Sequence, residues 1–246
     1  YIPVTPEEIE MLSPITTMFR DSPRSRVVSG KEHWDGIYIP SRTGAYFEIV
    51  HYAKPGGFGL GFSAVRPQYT DARKIVRELP ELPWKRGRRL WKKRMPWFDW
   101  LSLGGYSSSA PPLLDAWIMH YHFFHRKDFT PPSGPRTVDR FKSIHLTVGR
   151  KNAPEVRRLA SWLPGTQAWL KTKARLRLPD REASVFDVHI EILPGDGPLR
   201  FKRLEMEITK GERIQDRRLG SFSLRRATGG TAFLERTILK DSRYLR

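Results

Sequence analysis

Histidine and carboxylate side chains alternate with apolar ones in three β-like runs of the second half of the chain. His145 stands on the polar side of residues 143–148, and His189 does so in residues 185–193. Glu205 and Glu207 hold the same positions in residues 201–209. Because successive residues of a strand face opposite ways, each run predicts one apolar face for a core and one polar face. Imidazoles and carboxylates on neighbouring strands can hold a divalent metal or bind a polar ligand, but they are also ordinary on a solvated sheet face.

A shorter run in the first half has the same pattern. Tyr46 and Glu48 lie together on one side of residues 45–50, and Phe47 and Ile49 lie on the other. The pattern predicts a strand whose polar face carries a tyrosine and a carboxylate. Tyr38 belongs to the preceding β-like run, 36–39.

Two predicted helices accompany these strands. Thr5, Pro6 and Glu8 have the types and spacing of an N-cap, a first helical residue and a capping box. The second helix, 153–162, also begins with a Pro-Glu pair. From Glu48 to the Gly-Phe-Ser of 61–63, and from Glu207 to the Ser-Phe-Ser of 221–223, the separations differ by one residue. Such matches predict duplicated units that bury a shared core.

The chain resembles the vicinal-oxygen-chelate (glyoxalase-like) superfamily over roughly residues 1–70 and 141–225. Residues 36–65 are similar to that family's third and fourth strands, and SIHLTVG (143–149) to its first. The resemblance implies an α+β fold in which two βαβββ modules form a curved open sheet around a cleft. The modules would span 1–79, with a first strand cut short at Tyr1, and 136–246. A helical or irregular, basic, Trp-rich insertion would fill 80–135.

The resemblance also implies a function, namely a lyase, isomerase or dioxygenase that uses a divalent metal (Fe, Mn, Ni or Zn). The implied ligands are His145, Glu48 and Glu207, with His189 and Glu205 as alternatives. Tyr46 or Tyr38 would orient a small-molecule substrate. The alternative is a non-catalytic binding protein of the same fold that holds an anionic ligand, a lipid surface or nucleic acid through its basic surface.

The segment 84–100 interleaves tryptophans with cations, a pattern that can lie at a membrane interface or stack bases and contact phosphates. An equally open interpretation is a surface arm whose tryptophans dock onto the protein's own core. The predicted contact residues are Trp84, Lys85, Arg86, Arg88, Arg89, Trp91, Lys92, Lys93 and Arg94. The histidines at 120, 122 and 125 form a separate cluster that suits either a zinc site or the boundary of a packed aromatic segment.

Composition narrows the function classes. The 246 residues carry a net charge of +18, which attracts polyanions and anionic metabolites. They contain no cysteine, which excludes disulfides, Cys-ligated metals and thiol nucleophiles among them. No apolar run approaches the roughly 18 residues of a membrane span. We expect a cytoplasmic protein, and because the chain opens at Tyr1, a secreted or periplasmic location stays open.

Overall fold

The protein is an α+β structure of open sheets with few helices. The structure is a computed structural model, and no helix among its described residues is long and apolar enough to cross a bilayer. It describes residues 1–29, 32–43, 45–52, 58–63, 77, 80, 84–91, 95–103, 114–121, 136–161, 163, 165–179 and 185–237.

The first sheet is built from the N-terminal residues, and its strands lie in the order β1-β4-β3-β2, with β1 parallel to β4. Its elements are β1 (Ile2–Pro3), α1 (Pro6–Leu12), α2 (Ile15–Met18), β2 (Arg24–Ser29), β3 (Glu32–Pro40) and β4 (Tyr46–Tyr52). The predicted helix start is confirmed. Thr5 Oγ1 accepts from the Glu8 amide at 3.2 Å, and Glu8 Oε2 accepts from the Thr5 amide at 3.0 Å.

The second sheet has the order β5-β8-β7-β6, with β5 parallel to β8. Its strands are β5 (Phe58–Ser63), β6 (Trp84–Trp91), β7 (Met95–Leu103) and β8 (Leu114–Tyr121). It meets the first sheet where Tyr1 and Gly59 exchange two backbone hydrogen bonds of 2.6 and 3.1 Å. A Cβ at Gly59 would lie 2.2 Å from the Tyr1 ring, so only glycine fits at this junction.

The prediction that residues 80–135 form a helical or irregular insertion is wrong for 84–91, 95–103 and 114–121, which are strands. The run of cations hid the strand signal because it breaks the alternation of apolar and polar residues. The strand at 84–91 is stabilised by its pairing with β7, although its sequence lacks alternating apolar residues. Gly87 lies opposite Trp100, whose indole occupies the space that a Cβ at Gly87 would need. β5, expected to end the first module, pairs instead with β8.

The third sheet has eight strands in the order β10-β11-β12-β9-β13-β16-β15-β14. Its elements are β9 (Val138–Gly149), α3 (Ala153–Ala160), β10 (Thr166–Trp169), β11 (Lys173–Pro179), β12 (Val185–Leu193), β13 (Arg200–Ile208), β14 (Arg217–Leu219), β15 (Phe222–Arg226) and β16 (Thr231–Arg236). The three strands expected at 173–178, 185–193 and 201–209 are confirmed to within a residue.

The two halves of the chain share one strand order. From one edge, the strands of each half run second, third, fourth, first, fifth, eighth, seventh and sixth, once the first two sheets are joined at Tyr1 and Gly59. The halves differ in the relative direction of one strand pair, because β5 is parallel to β8, whereas β13 is antiparallel to β16.

The first and third sheets pack through their apolar faces. The ring of Phe47 in β4 lies 6.3 Å from Phe141 and 5.8 Å from Phe201, and all three are buried. Because neighbouring residues of a strand point to opposite sides, Glu48 lies on the face of the first sheet that turns away from the third. The polar faces of the two halves therefore point in opposite directions.

Helix α1 of the first half covers the end of the third sheet. Glu8 Oε1 accepts from Ser221 at 2.8 Å and from Arg236 at 2.5 Å. Gly220, at φ 63°, lies beneath Met11, whose sulfur would be 2.1 Å from a Cβ there. At the other end, α3 buries Val156 and Leu159 in the same core. One continuous core thus joins the two halves.

Candidate functional site on the open face of the third sheet

A row of paired residues crosses the polar face of the third sheet. By strand register, Arg175 lies opposite His189, His189 opposite His145, and His145 opposite Arg203. The row continues to Ala168 at one end and to Glu235 at the other. The predicted alternation is confirmed here, because the intervening Ile144, Leu146, Val188, Ile190, Leu204 and Met206 are buried.

The two histidines form a stacked pair at the centre of the row. Their ring centroids are 4.6 Å apart and their planes differ by 18°. Burial lowers the pKa of His145 to about 4, helped by the charge of Arg203. Burial likewise lowers the pKa of His189, although Asp187 opposes this. Both imidazoles are therefore neutral at pH 7.

Contacts to His145 assign its tautomer. Arg203 Nη2 lies 3.3 Å from His145 Nε2, and a guanidinium can only donate, so Nε2 accepts and the proton sits on Nδ1. Ser143 Oγ, also 3.3 Å from Nε2, donates to Glu205 Oε2 at 3.2 Å. Burial alone would raise the pKa of Glu205, but Lys142 and Ser143 outweigh it and lower the pKa.

Arg203 makes several contacts but has one unsatisfied donor. Its guanidinium lies over the Phe233 ring at 5.1 Å and reaches Glu235 only at 3.7 Å. Its Nε is buried and has no hydrogen-bond partner among the described residues. A buried donor without an acceptor is costly, so this atom lowers the stability that Arg203 contributes to the face.

A cleft of about 480 Å³ opens beside the histidine pair. Its charged lining consists of Lys173, Arg175, Lys202 and Glu191. Arg175 also pairs with Asp187 at 2.8 Å, and Lys202 with Glu191 at 2.7 Å. Three cations against one carboxylate give the cleft wall a positive balance. Its volume is within the range of small-molecule sites, roughly 300–1,000 Å³.

The chemistry of this face suits binding better than proton transfer. A Ser–His–acid relay needs the carboxylate on the histidine. Here Glu205 accepts from Ser143 itself, and Arg203 holds the lone pair of His145 Nε2. A histidine whose pKa is about 4 is a weak base at neutral pH.

The predicted metal ligands do not come together. Glu207 lies opposite Arg140 and pairs with it at 2.7 Å, five residues along β9 from His145, or roughly 16 Å at strand spacing. Glu48 lies on the opposite-facing sheet. His145, His189 and Glu205 are neighbours, but Arg203 contacts His145 Nε2 and Lys142 pairs with Glu205 Oε1. Among the described residues, no group of three or more His, Asp or Glu side chains is arranged to hold a metal. The first-choice ligands His145, Glu48 and Glu207 are therefore not gathered at one point.

A second polar cluster lies on the open face of the first half. Glu48 is paired in register with Tyr38, and the Tyr38 and Tyr46 rings are 5.7 Å apart at 56°. Burial raises the pKa of Glu48, and its hydrogen bond with Tyr38 only partly offsets this. The two tyrosines predicted as substrate-orienting are therefore brought together with Glu48, but not with the histidines.

The basic segment is a hairpin at a sheet edge. β6 is the outer strand of the second sheet, and Arg88 pairs with Asp99 of β7 at 2.6 Å. Cations on an edge strand commonly prevent edge-to-edge association, which is a structural role. Lys92, Lys93 and Arg94 lie outside the described residues, as do His122 and His125, whereas His120 belongs to β8.

Sequence reasoning did not assign Arg203, Arg175, Lys173, Lys202 or Leu170 to the site. The cations at 173, 175 and 177 do alternate, which is a usable signal for one strand face. Their meeting with the histidines depends on strand order, which a single sequence does not supply.

No known family model matches the chain, and no curated protein is significantly similar to it.

Proposed function

We propose that the polar face of the third sheet binds an anionic small molecule, and that the protein acts through this binding. The single observation that carries the proposal is the cleft beside the stacked His145–His189 pair, whose charged lining is three cations and one carboxylate. Neutral imidazoles add hydrogen-bonding atoms at no cost in charge desolvation.

Arg203 supports the same conclusion. It places a further cation beside the histidine pair, with Nη2 3.3 Å from His145 Nε2. An anionic oxygen is the strongest acceptor available to a guanidinium. The net charge of +18 adds long-range attraction for such a ligand.

We also propose that each half is a divergent pair of four-stranded modules of the vicinal-oxygen-chelate kind. The support is the strand order, in which the first strand of each four lies next to the last. Under this proposal, the second half keeps the open polar face of the family but uses it to hold an anion instead of a metal. The glyoxalase-like metal enzyme is the less favoured alternative, because its implied ligands are spread over two faces.

Calorimetric titration with benzoate tests the binding proposal. We expect Arg175→Gln combined with Lys202→Gln to weaken binding by about tenfold, which corresponds to roughly 1.4 kcal/mol. The matched control is Arg217→Gln combined with Arg218→Gln, because it removes the same charge from β14. Equal losses in the two double variants would mean that the net charge alone attracts benzoate, and the proposal would fail.

A further inference from the structure

We infer that the ligand of this cleft is an amphipathic organic acid, in which an aromatic or aliphatic body carries one anionic group. The inference rests on the proposed anion binding and adds the chemical class of the ligand. It follows from the distribution of apolar and charged side chains around the cleft.

One wall of the cleft is apolar and open to solvent. Leu170, which follows β10, is 59% exposed, the highest value among the exposed large hydrophobic residues of the described chain. It lines the cleft together with Ala168, the apolar end of the cross-sheet row. A leucine held open beside a cleft gains free energy when a ligand covers it.

Cations flank the cleft on two strands. On β11, the carbonyl of Lys173 accepts from the Leu170 amide at 2.8 Å, and Arg175 lies opposite Ala168. Lys202 lines the cleft from β13. A ligand that matches this lining has an apolar body over Leu170 and one acid group within reach of Arg175 and Lys202.

The size of the cleft excludes the simplest anions as complete occupants. Its volume of about 480 Å³ far exceeds the roughly 30 Å³ of one water molecule. An inorganic oxyanion would leave most of the cleft filled with water and Leu170 exposed to it. A rigid aromatic acid occupies more of the cleft and covers Leu170, and the neutral His145–His189 stack offers it a polarisable neighbour.

Three probes separate the contributions of charge and apolar surface: 1-naphthoate, acetate and 1-naphthylmethanol. We expect naphthoate to bind the full chain at least about tenfold more tightly than acetate, because naphthoate covers Leu170 and acetate does not. The alcohol has the same ring system without the charge, and we expect it to bind more weakly than naphthoate.

Leu170→Ser is the decisive variant, and Leu193→Ser is its matched control, since Leu193 is 39% exposed and does not line the cleft. We expect Leu170→Ser to weaken naphthoate binding about three- to tenfold and to leave acetate unchanged, while Leu193→Ser changes neither. Thermal unfolding of both variants confirms that each is folded.

The outcomes distinguish the two proposals. Suppose that binding still needs Arg175 and Lys202, but that acetate binds as tightly as naphthoate or the two serine variants behave alike. The ligand is then a simple anion, and only the inference of an amphipathic acid is overturned. If neither naphthoate nor acetate depends on Arg175 and Lys202, the anion site itself is overturned. Binding of the alcohol as tight as that of naphthoate would also overturn the inference.

Discussion

The two halves of this protein have the same strand order and opposite chemistry on their open faces. The first half presents tyrosines around Glu48, a partly buried carboxyl group whose pKa is raised by burial. The second presents stacked imidazoles whose pKa values are lowered by burial, among arginines and lysines. Burial favours the neutral form in both cases, but neutrality means a bound proton on Glu48 and a lost proton on His145. A shared strand order thus does not give the two faces the same side-chain chemistry.

Because the apolar faces meet in one core, the comparison requires that the halves unfold together. We predict that Phe47→Ala costs about 3–5 kcal/mol of unfolding free energy, since Phe47 is 7% exposed and contacts Phe141 and Phe201. Denaturant unfolding followed by Trp fluorescence measures it. Tyr46→Ala, one residue away on the open face, is the control and should cost much less. A small effect of Phe47→Ala, or two separate transitions in the native protein, would contradict the shared core.

The second prediction concerns the pH dependence that His145 contributes. Its pKa is about 4 in the folded protein, below the usual 6.5, so the unfolded chain binds more protons between these values. Stability therefore falls as pH drops from about 6.5 to 4, and is unaffected by this group above 6.5. His145 is only half-buried, so we expect about 1–2 kcal/mol after allowance for solvent screening. The stability–pH curve of His145→Asn should be flatter in this window, and a curve parallel to the native one would refute the assignment.

The opposite sign is predicted for Glu48. Its pKa is raised in the folded protein, so the folded state holds a proton after the unfolded chain has lost it. Stability therefore falls as pH rises from about 4.5 through the folded pKa. Glu48→Gln removes this loss and should leave stability at pH 7 unchanged or higher by about 1 kcal/mol. A loss of stability at pH 7 in Glu48→Gln would show that the ionised carboxylate is needed.

The smallest effect on stability is expected at the basic hairpin. Deletion of 84–100 would remove β6 and most of β7, so substitution is the informative change. Arg88→Gln breaks only the exposed pair with Asp99 and should cost less than about 1 kcal/mol. If the hairpin contacts nucleic acid, the variant should also change the salt dependence of duplex-DNA binding. The slope of the logarithm of the binding constant against the logarithm of the salt concentration should fall in magnitude by about 0.9. A slope equal to that of the native chain would leave the edge-protection role of β6 as its explanation.

Much of the third sheet can be predicted from the sequence. The alternation in residues 185–193 and 200–208 places Val188, Ile190, Leu204 and Met206 inside, and they are buried. The capping box at Thr5 and Glu8 is equally local and is confirmed. Such signals depend on residues a few positions apart, which a single sequence contains.

The packing of the sheets and the pairing of distant strands could not be predicted from the sequence. Phe47 packs on Phe141 and Phe201, so Glu48 faces away from His145; nothing within residues 45–50 specifies this. The strand 84–91 lacks alternation and depends on a hairpin partner, where Trp100 packs over Gly87. Arg203 meets His145 only because β13 lies beside β9. Long-range pairing decides each of these, and residue spacing along the chain does not encode it visibly.

The most direct test of the central claim follows the imidazole nitrogens of His145 and His189 by NMR while 1-naphthoate is added, with His145→Asn used for assignment. We predict saturable shifts of both imidazoles, with the Tyr38 and Tyr46 ring signals unchanged. Unmoved imidazoles, or shifts confined to the two tyrosines, would contradict it.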